Sequence, residues 1–208
     1  MVLLGLLALA ACIPHGPRRQ PPRPETPSRP DARSPATTQC HVDLARERVG
    51  FRVLPDRTFA SGCSALGAVQ LTEIGTPITN LGAMSCPVAR QFARWVREDV
   101  RPAAERHLGS PVRRIETFGT YSCRNVNGSG RLSEHGFANA VDVSAFILAD
   151  GRRITVLEGW NGDGDARRFL RALHQAGCRR FAITLGPDAN ADHRNHFHFD
   201  MGRGPYCR

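Results

Sequence analysis

Apolar residues recur at helical spacing in two stretches of the chain. In the first, between residues 87 and 107, they follow steps of three and four: Ala89, Phe92, Trp95, Val96 and Val100. Such a stripe predicts an amphipathic helix with Pro87 in its first turn. Pro102 is expected to end or kink this helix. A second helix is predicted from Asp165 to Gly177, where glycine is a typical stop.

Alternating apolar and polar positions, or short apolar runs between turn residues, predict strands elsewhere. They are expected at residues 67–74, 112–122, 138–148, 153–156, 181–185 and 196–201. Ala149-Asp150-Gly151 has the composition of a hairpin turn between two of these strands. The predicted fold class is therefore α+β, with an antiparallel sheet and helices packed on one side of it.

The last predicted strand carries histidines on one face. Residues two apart in a strand point to the same face, about 6.6 Å from each other. His196 and His198 therefore share a face that Asp200 extends, while Phe197 and Phe199 point the opposite way into a core.

The strand predicted at residues 138–148 carries a carboxylate on its small-residue face. Asp142 is expected on the face of Ala138, Ala140 and Ser144. The core-facing set is expected to be Val141, Val143, Ala145 and Ile147. His135 is seven residues from Asp142, so a straight strand would put the two on opposite faces. Gly136 allows a bend through which His135 can fold back toward the carboxylate.

Together these polar residues have the composition of a zinc site. A histidine, a carboxylate seven positions later and a His-x-His pair more than fifty residues on can supply three ligands and leave one position open. An open position distinguishes a hydrolytic zinc from a structural one. The alternative is that His135, His196 and His198 are structural residues satisfied by internal hydrogen bonds.

The spacing around the first of these histidines resembles that of a known peptidase group. Zinc peptidases of the lysostaphin, D-Ala-D-Ala carboxypeptidase and hedgehog-fold group share the motif S-x-H-x-x-G-x-A-x-D, followed by H-x-H. This chain has Ser133, His135, Ala140 and Asp142 at the corresponding positions, with Ala138 in place of the glycine.

A longer part of the chain, from about Cys40 to Cys207, is similar to the bacterial extensin-like C-terminal domain. Residues 118–124, 135–151 and 196–200 carry that likeness. The extensin label refers to a proline-rich front half and implies no chemistry.

The resemblance to the peptidases implies a role for each site residue. His135, Asp142 and His198 would bind zinc, and His196 would lie beside the metal-bound water and assist proton transfer. Arg124 occupies the place of an arginine that binds a substrate carboxylate. The implied activity is amide hydrolysis of the D,D-carboxypeptidase or endopeptidase type.

The start of the chain predicts export. Residues 2–11 are an apolar run that suits a signal peptide and is too short to span a bilayer. The run ends in Leu9-Ala10-Ala11-Cys12, which resembles the bacterial lipobox. Residues 1–12 are therefore expected to be a lipoprotein signal peptide with Cys12 as the lipidated residue. Ile13, rather than aspartate, after that cysteine favours the outer membrane.

A disordered linker is expected at residues 13–39, because this segment holds eight of the fifteen prolines and almost no bulky apolar residue. In extended form it reaches about 80 Å, which suits a tether between a membrane and the cell wall. Residues 40–208 then form a single domain, long enough to bury a core.

The cysteines that follow support an oxidising compartment. An even six predicts up to three disulfides, formed among Cys40, Cys63, Cys86, Cys123, Cys178 and Cys207. Fifteen pairings are possible for six cysteines. Proximity along the chain favours Cys40 with Cys63 and Cys178 with Cys207.

The formal net charge of +9 comes from arginine alone, since the chain has no lysine. The arginines are scattered, and no nucleic-acid-binding motif or aromatic stacking array accompanies them, so no nucleic-acid partner is expected. Outside the cytoplasm, a positive surface favours anionic partners such as peptidoglycan or another envelope polymer.

These observations predict a periplasmic lipoprotein, held at the outer membrane by its lipid, that hydrolyses amide bonds of peptidoglycan peptides with zinc. Two alternatives stay open. One is a non-catalytic cell-wall-binding module that keeps the peptidase-like fold. The other is a structural envelope protein held by disulfides.

Overall fold

The computed structural model describes residues 29–162 and 164–208. Its helices are α1 Pro35–Arg46, α2 Cys86–Arg94, α3 Arg101–Leu108, α4 Val156–Gly159 and α5 Gly164–Arg180. Its strands are β1 Gly50–Val53, β2 Arg57–Thr58, β3 Ser64–Ala65, β4 Ala68–Glu73, β5 Met84–Ser85, β6 Val112–Gly119, β7 Ala140–Leu148, β8 Arg153–Thr155, β9 Ile183–Leu185, β10 Phe197–Asp200 and β11 Tyr206–Cys207. The predicted signal peptide, with Cys12, and the first part of the linker lie outside the described residues.

A central sheet carries the residues predicted to form the site. Its strand order is β11-β9-β10-β7-β6, with β8 paired to β7. Neighbouring strands are antiparallel except for β9 and β11. The predicted mixed fold with antiparallel sheets is thereby confirmed. In the described part of the chain, no helix is long and apolar enough to cross a membrane.

The register between β7 and β10 brings two predicted site residues face to face. Asp142 pairs directly with His198. The flanking pairs are fully buried apolar residues, Val143 with Phe197 and Val141 with Phe199. One face of this strand pair is therefore core and the other is polar, as the alternation predicts.

The alternation along β7 breaks at Ser144. Val143 pairs with Thr117 of β6, but Ala145 pairs with Glu116, so Ser144 is the extra residue of a β-bulge. Its hydroxyl donates to the Glu116 carbonyl oxygen at 3.1 Å. Because the bulge reverses the alternation, the β7 residues of the main core are Val141, Val143, Phe146 and Leu148. The sequence-based assignment to the core face is wrong beyond the bulge, at Ala145 and Ile147.

The predicted helix at residues 87–107 forms as three consecutive segments. A π-helical stretch, Trp95–Val100, joins α2 to α3. Pro102 falls in the first turn of α3, where the missing N–H leaves no helical hydrogen bond unmade. The expectation that Pro102 could end the helix is therefore wrong, and the chain stays helical to Leu108.

The main core lies between these helices and the apolar face of the central sheet. The Trp95 ring centroid lies 5.0 Å from that of Phe199 and 6.2 Å from that of Phe146. The Trp95 indole N–H donates to the Leu173 carbonyl oxygen of α5 at 3.1 Å. Phe169 of α5 packs edge-on against Phe146. The helices thus fix β7 and β10 from the apolar side and leave the polar face to the site.

Three disulfides fasten peripheral elements to this framework. They join Cys40 to Cys86, Cys63 to Cys123 and Cys178 to Cys207. The predicted Cys178–Cys207 pair is confirmed, and the predicted Cys40–Cys63 pair is wrong. Cys40 lies on α1, which packs against α2 and so meets the cysteine that begins α2, although 46 residues separate the two. Proximity along the chain carries no sign of that contact.

The domain begins before the predicted boundary at Cys40. Ser34 caps α1, since its hydroxyl accepts a hydrogen bond from the Thr37 N–H at 3.1 Å, and Pro35 starts the helix. Thr37 is buried. A linker that is disordered up to residue 39 is therefore wrong for residues 35–39, whose Pro and Thr content resembles linker composition.

Candidate metal centre

His135 reaches the polar face of the sheet from a short 3₁₀ turn, Glu134–Phe137, that precedes β7. The Ser133 hydroxyl caps this turn by accepting a hydrogen bond from the His135 N–H at 3.3 Å. Ala138 follows in the left-handed region, with a φ of 53°. This reversal of the chain explains how His135 and Asp142 share a face despite their odd spacing.

Three buried side chains converge on the polar face of β7 and β10. His135 Nε2 lies 3.0 Å from Asp142 Oδ2, and His198 Nδ1 lies 2.9 Å from Asp142 Oδ1. The two nitrogens are 3.2 Å apart. A tetrahedral zinc ion with ligands at about 2.0–2.1 Å needs ligand atoms about 3.3 Å apart. The protein alone therefore holds these three side chains near the geometry of a zinc site.

The opposite nitrogen of each histidine is committed to the protein. His135 Nδ1–H donates to the Thr120 carbonyl oxygen at 2.8 Å. His198 Nε2–H donates to Asp200 Oδ2 at 2.8 Å, and Asp200 Oδ1 accepts from the Gly202 N–H at 2.7 Å. These bonds turn His135 Nε2 and His198 Nδ1 toward Asp142. Such outer partners orient histidine ligands in metal sites, and two imidazoles with one carboxylate suit zinc.

The same contacts govern the charges of the cluster. Burial alone would raise the pKa of Asp142, but hydrogen bonds from His135 and His198 hold this pKa well below its usual range. Burial alone would lower the pKa of His198, but its hydrogen bonds to Asp142 and Asp200 raise this pKa to about 9. Without metal, a protonated His198 thus neutralises part of the carboxylate charge.

His196 lies beside the three converging residues rather than among them. Its Nε2 is 3.6 Å from Asp142 Oδ1, and its Nδ1–H donates to Asn195 Oδ1 at 2.9 Å. The exposed ring of Phe118 packs edge-on against it at 5.5 Å. Burial lowers the pKa of His196, Asp142 opposes that shift, and nearby cations including Arg124 add to it. A neutral His196 therefore presents a free Nε2 lone pair toward Asp142.

His193 belongs to the same cluster and has no counterpart among the sequence-based predictions. Its ring centroid lies 5.1 Å from that of His196 and 5.6 Å from that of His198. Its Nδ1–H donates to Asn190 Oδ1 at 2.7 Å. Burial and the charges of His198 and His196 lower the pKa of His193 to about 4. The spacing His193-x-x-His196-x-His198 is the signal that could have identified it.

A cleft of about 1460 Å³ opens over the site. Four polar residues of the cluster line its floor: His193, His196, His198 and Asp200. Arg124, predicted as a substrate-binding residue, lines the same cleft and is exposed. Two further exposed arginines, Arg131 and Arg203, also line it. Sequence reasoning missed both, because isolated surface arginines among 28 basic residues form no pattern.

Each carboxylate next to the three converging residues already has partners. Asp200 is bonded to His198 and to the Gly202 N–H. Glu134 Oε2 accepts from the Arg29 guanidinium at 2.7 Å and from Asn139 Nδ2 at 2.6 Å. The site therefore has no third carboxylate, among the described residues, that these contacts leave unengaged.

The matched family spans nearly all of this structure. The model of the family described as Extensin-like protein C-terminus matches residues 38–208. No curated protein and no solved structure matches the chain. The matched range includes the converging His135, Asp142 and His198, the other cleft histidines and all three disulfides. The chain belongs to the extensin-like protein C-terminus family.

Proposed function

We propose that this chain is a zinc-dependent hydrolase of amide bonds in peptidoglycan peptides, related to the lysostaphin and D-Ala-D-Ala carboxypeptidase group. The convergence of His135, Asp142 and His198 at the floor of an open cleft carries the proposal. A purely structural zinc site would be closed by a fourth protein ligand, whereas here His196 and the cleft border the cluster.

Zinc held by these three residues would supply a Lewis acid and a water molecule whose pKa falls toward 7. His196 is placed to take a proton during the reaction, because its Nε2 faces the site and Asn195 fixes its Nδ1 as a donor. His193 packs against the His196 ring and restricts its rotation. Arg124 would bind a substrate carboxylate through its two-pronged guanidinium.

The location in the cell forms part of the same proposal. Three disulfides support an oxidising compartment, and we place the domain in the periplasm. Cys12 would carry the lipid that anchors it, in the outer membrane, and the proline-rich segment would let it reach the wall. The partner is peptidoglycan or another anionic envelope polymer, in keeping with the net charge of +9.

One observation favours a second candidate function, a cell-wall-binding module without catalysis. Both carboxylates near the metal ligands, Glu134 and Asp200, are taken up by hydrogen bonds. A hydrolase must then rely on His196 for proton transfer, whereas a binding module needs no such group.

Digestion of purified sacculi separates the two functions. The full-length chain, loaded with zinc, is incubated with sacculi, and the released muropeptides are identified by mass spectrometry. Release by the wild type is expected to fall by about 10²–10⁴-fold in His196→Ala, with zinc content unchanged. His107→Ala, a histidine of α3 remote from the cleft lining, is the matched control and should digest like the wild type.

Sedimentation with sacculi is measured in the same samples. Wild-type protein that sediments with sacculi but releases no muropeptide would contradict the hydrolase and support the binding module. Loss of zinc in His196→Ala would contradict its role as a proton-transfer group beside the ligands.

A further inference from the structure

The cleft has unpaired positive charge at both ends of its polar floor. Arg124, Arg131 and Arg203 line the cleft, and none forms an ion pair or side-chain hydrogen bond with a residue in the ranges 29–162 and 164–208. Eleven other arginines do form such ion pairs with carboxylates. Guanidinium groups left free inside a cleft are suited to bind carboxylates of a ligand.

The two ends of the floor are defined by β10. His196, His198 and Asp200 lie on one face of this strand, and four residues span about 13 Å. Arg124 is at the His196 end, close enough to influence the charge of that ring. Arg203 follows Asp200 by three residues, so it lies at the opposite end. The converging ligands lie between the two arginines.

The backbone around Arg203 is held on both sides. Gly202 N–H donates to Asp200, and a side chain at Gly202 would lie 3.0 Å from the Glu134 carboxylate carbon. Beyond Arg203, the Tyr206 N–H donates to the Ala182 carbonyl oxygen at 2.9 Å. The Cys178–Cys207 disulfide then ties this segment to α5. Arg203 therefore projects from a short, anchored connection rather than from a free tail.

The neighbouring carboxylates do not consume the charge of Arg203. Glu134 is paired with Arg29, and Asp200 is bonded to His198 and Gly202. Asp192, on the other wall, accepts from Asn127 Nδ2 at 3.1 Å. The cationic character of both ends is thus available to a ligand.

We propose that Arg203 forms a second carboxylate subsite, so that the cleft takes an acidic peptide with one carboxylate on each side of the bond at the metal ligands. This deepens the proposed function and rests on it only for the reaction. Recognition on both sides identifies the substrate as an internal amide within a peptide, not a terminal residue held at one end.

Peptide binding to the metal-free full-length chain tests the subsite without turnover. The probe is the acetylated, amidated peptide Glu-Ala-Ala-Ala-Glu, whose extended form places its carboxylates about 13 Å apart. Two further peptides carry glutamine in place of one glutamate each. Affinities are measured by calorimetry at fixed ionic strength for wild type, Arg124→Gln and Arg203→Gln. Arg113→Gln, an exposed arginine of β6 outside the cleft lining, is the charge-matched control.

The wild type is expected to bind the two-glutamate peptide about tenfold more tightly than either glutamine peptide. Arg203→Gln should lose the preference for one glutamate only, Arg124→Gln for the other only, and Arg113→Gln for neither. Unchanged binding in Arg203→Gln, loss of the same preference in both cleft variants, or no binding of the acidic peptide would overturn the proposal. Failure to digest sacculi, with this binding pattern intact, would instead refute only the hydrolase.

Discussion

Two clusters of metal-binding residue types occur in the described part of the chain, and they differ in how their ligand atoms are committed. One comprises His135, Asp142 and His198, all buried. The other comprises His174, Cys178 and Cys207 at the edge of α5, where the sulfur atoms form a disulfide. His174 Nε2–H there donates to the Arg208 carbonyl oxygen at 3.0 Å.

The difference shows that proximity of ligand types is a weak criterion for a metal site. Metal ligation by cysteine requires the thiolate, which a disulfide excludes. In the buried cluster, by contrast, the protein occupies the outer nitrogen of each histidine and turns the inner one toward Asp142. Orientation by outer partners makes the buried cluster suited to metal, and the edge cluster suited to fastening β11.

Removal of the edge disulfide should produce the largest change and sharpen this distinction. Its sequence separation of 29 residues corresponds to about 3–4 kcal/mol of loop-closure entropy in the unfolded state. We expect Cys178→Ser/Cys207→Ser to lower the free energy of unfolding by about that amount, measured by denaturant titration. Zinc content of the folded variant should stay at the wild-type value, and a loss of zinc would show that the edge cluster takes part in binding.

Asp200 tests whether outer partners matter as much as the ligands. Asp200→Asn removes the charged acceptor of His198 Nε2–H but keeps the side-chain shape. We expect zinc affinity to fall by about 10–100-fold, measured by competition with a chelator. Asp150→Asn, an exposed carboxylate in the β7–β8 turn, serves as the control. Equal affinities in all three proteins would mean that orientation of His198 does not limit binding.

The pH dependence of zinc affinity follows from the same pair. The pKa of His198 is raised to about 9 in the metal-free protein, and zinc requires the neutral imidazole. Below pH 9 binding must therefore release a proton, so affinity should rise about tenfold per pH unit from this group between pH 6.5 and 8.5. Chelator competition across that range measures the slope. A flat profile would contradict the assignment of His198 as a ligand.

Ala138 predicts the smallest effect and probes the turn that presents His135. Its φ of 53° disfavours alanine by about 1–2 kcal/mol relative to glycine. Against this stand the buried methyl group, about 0.8 kcal/mol, and the greater unfolded-state entropy of glycine, about 0.5–1 kcal/mol. Because these terms nearly cancel, Ala138→Gly should change the free energy of unfolding by less than about 1 kcal/mol, measured by denaturant titration. A larger loss would show that packing outweighs the backbone term.

The strands and the site residues on them could be predicted because both depend on local alternation. His198 and Asp200 share a polar face, and Phe197 and Phe199 are buried behind it, as a two-residue period requires. The bend that brings His135 back was also foreseeable, from Gly136 and the odd spacing to Asp142.

Other features depend on contacts that sequence patterns do not record. The Cys40–Cys86 disulfide follows from the packing of α1 against α2. The bulge at Ser144 follows from the register with β6. His193 lies in a 3₁₀ turn without periodicity, and only the folding of that turn onto His196 places it in the site.

Zinc content of the purified full-length chain, measured by elemental analysis beside the His135→Ala/Asp142→Ala variant, tests the central claim most directly. His174→Ala is the matched control from the edge cluster. The account predicts about one zinc per chain in the wild type and in His174→Ala, and none in the double variant. Absence of zinc from the wild type after metal is supplied, or its retention in the double variant, would contradict it.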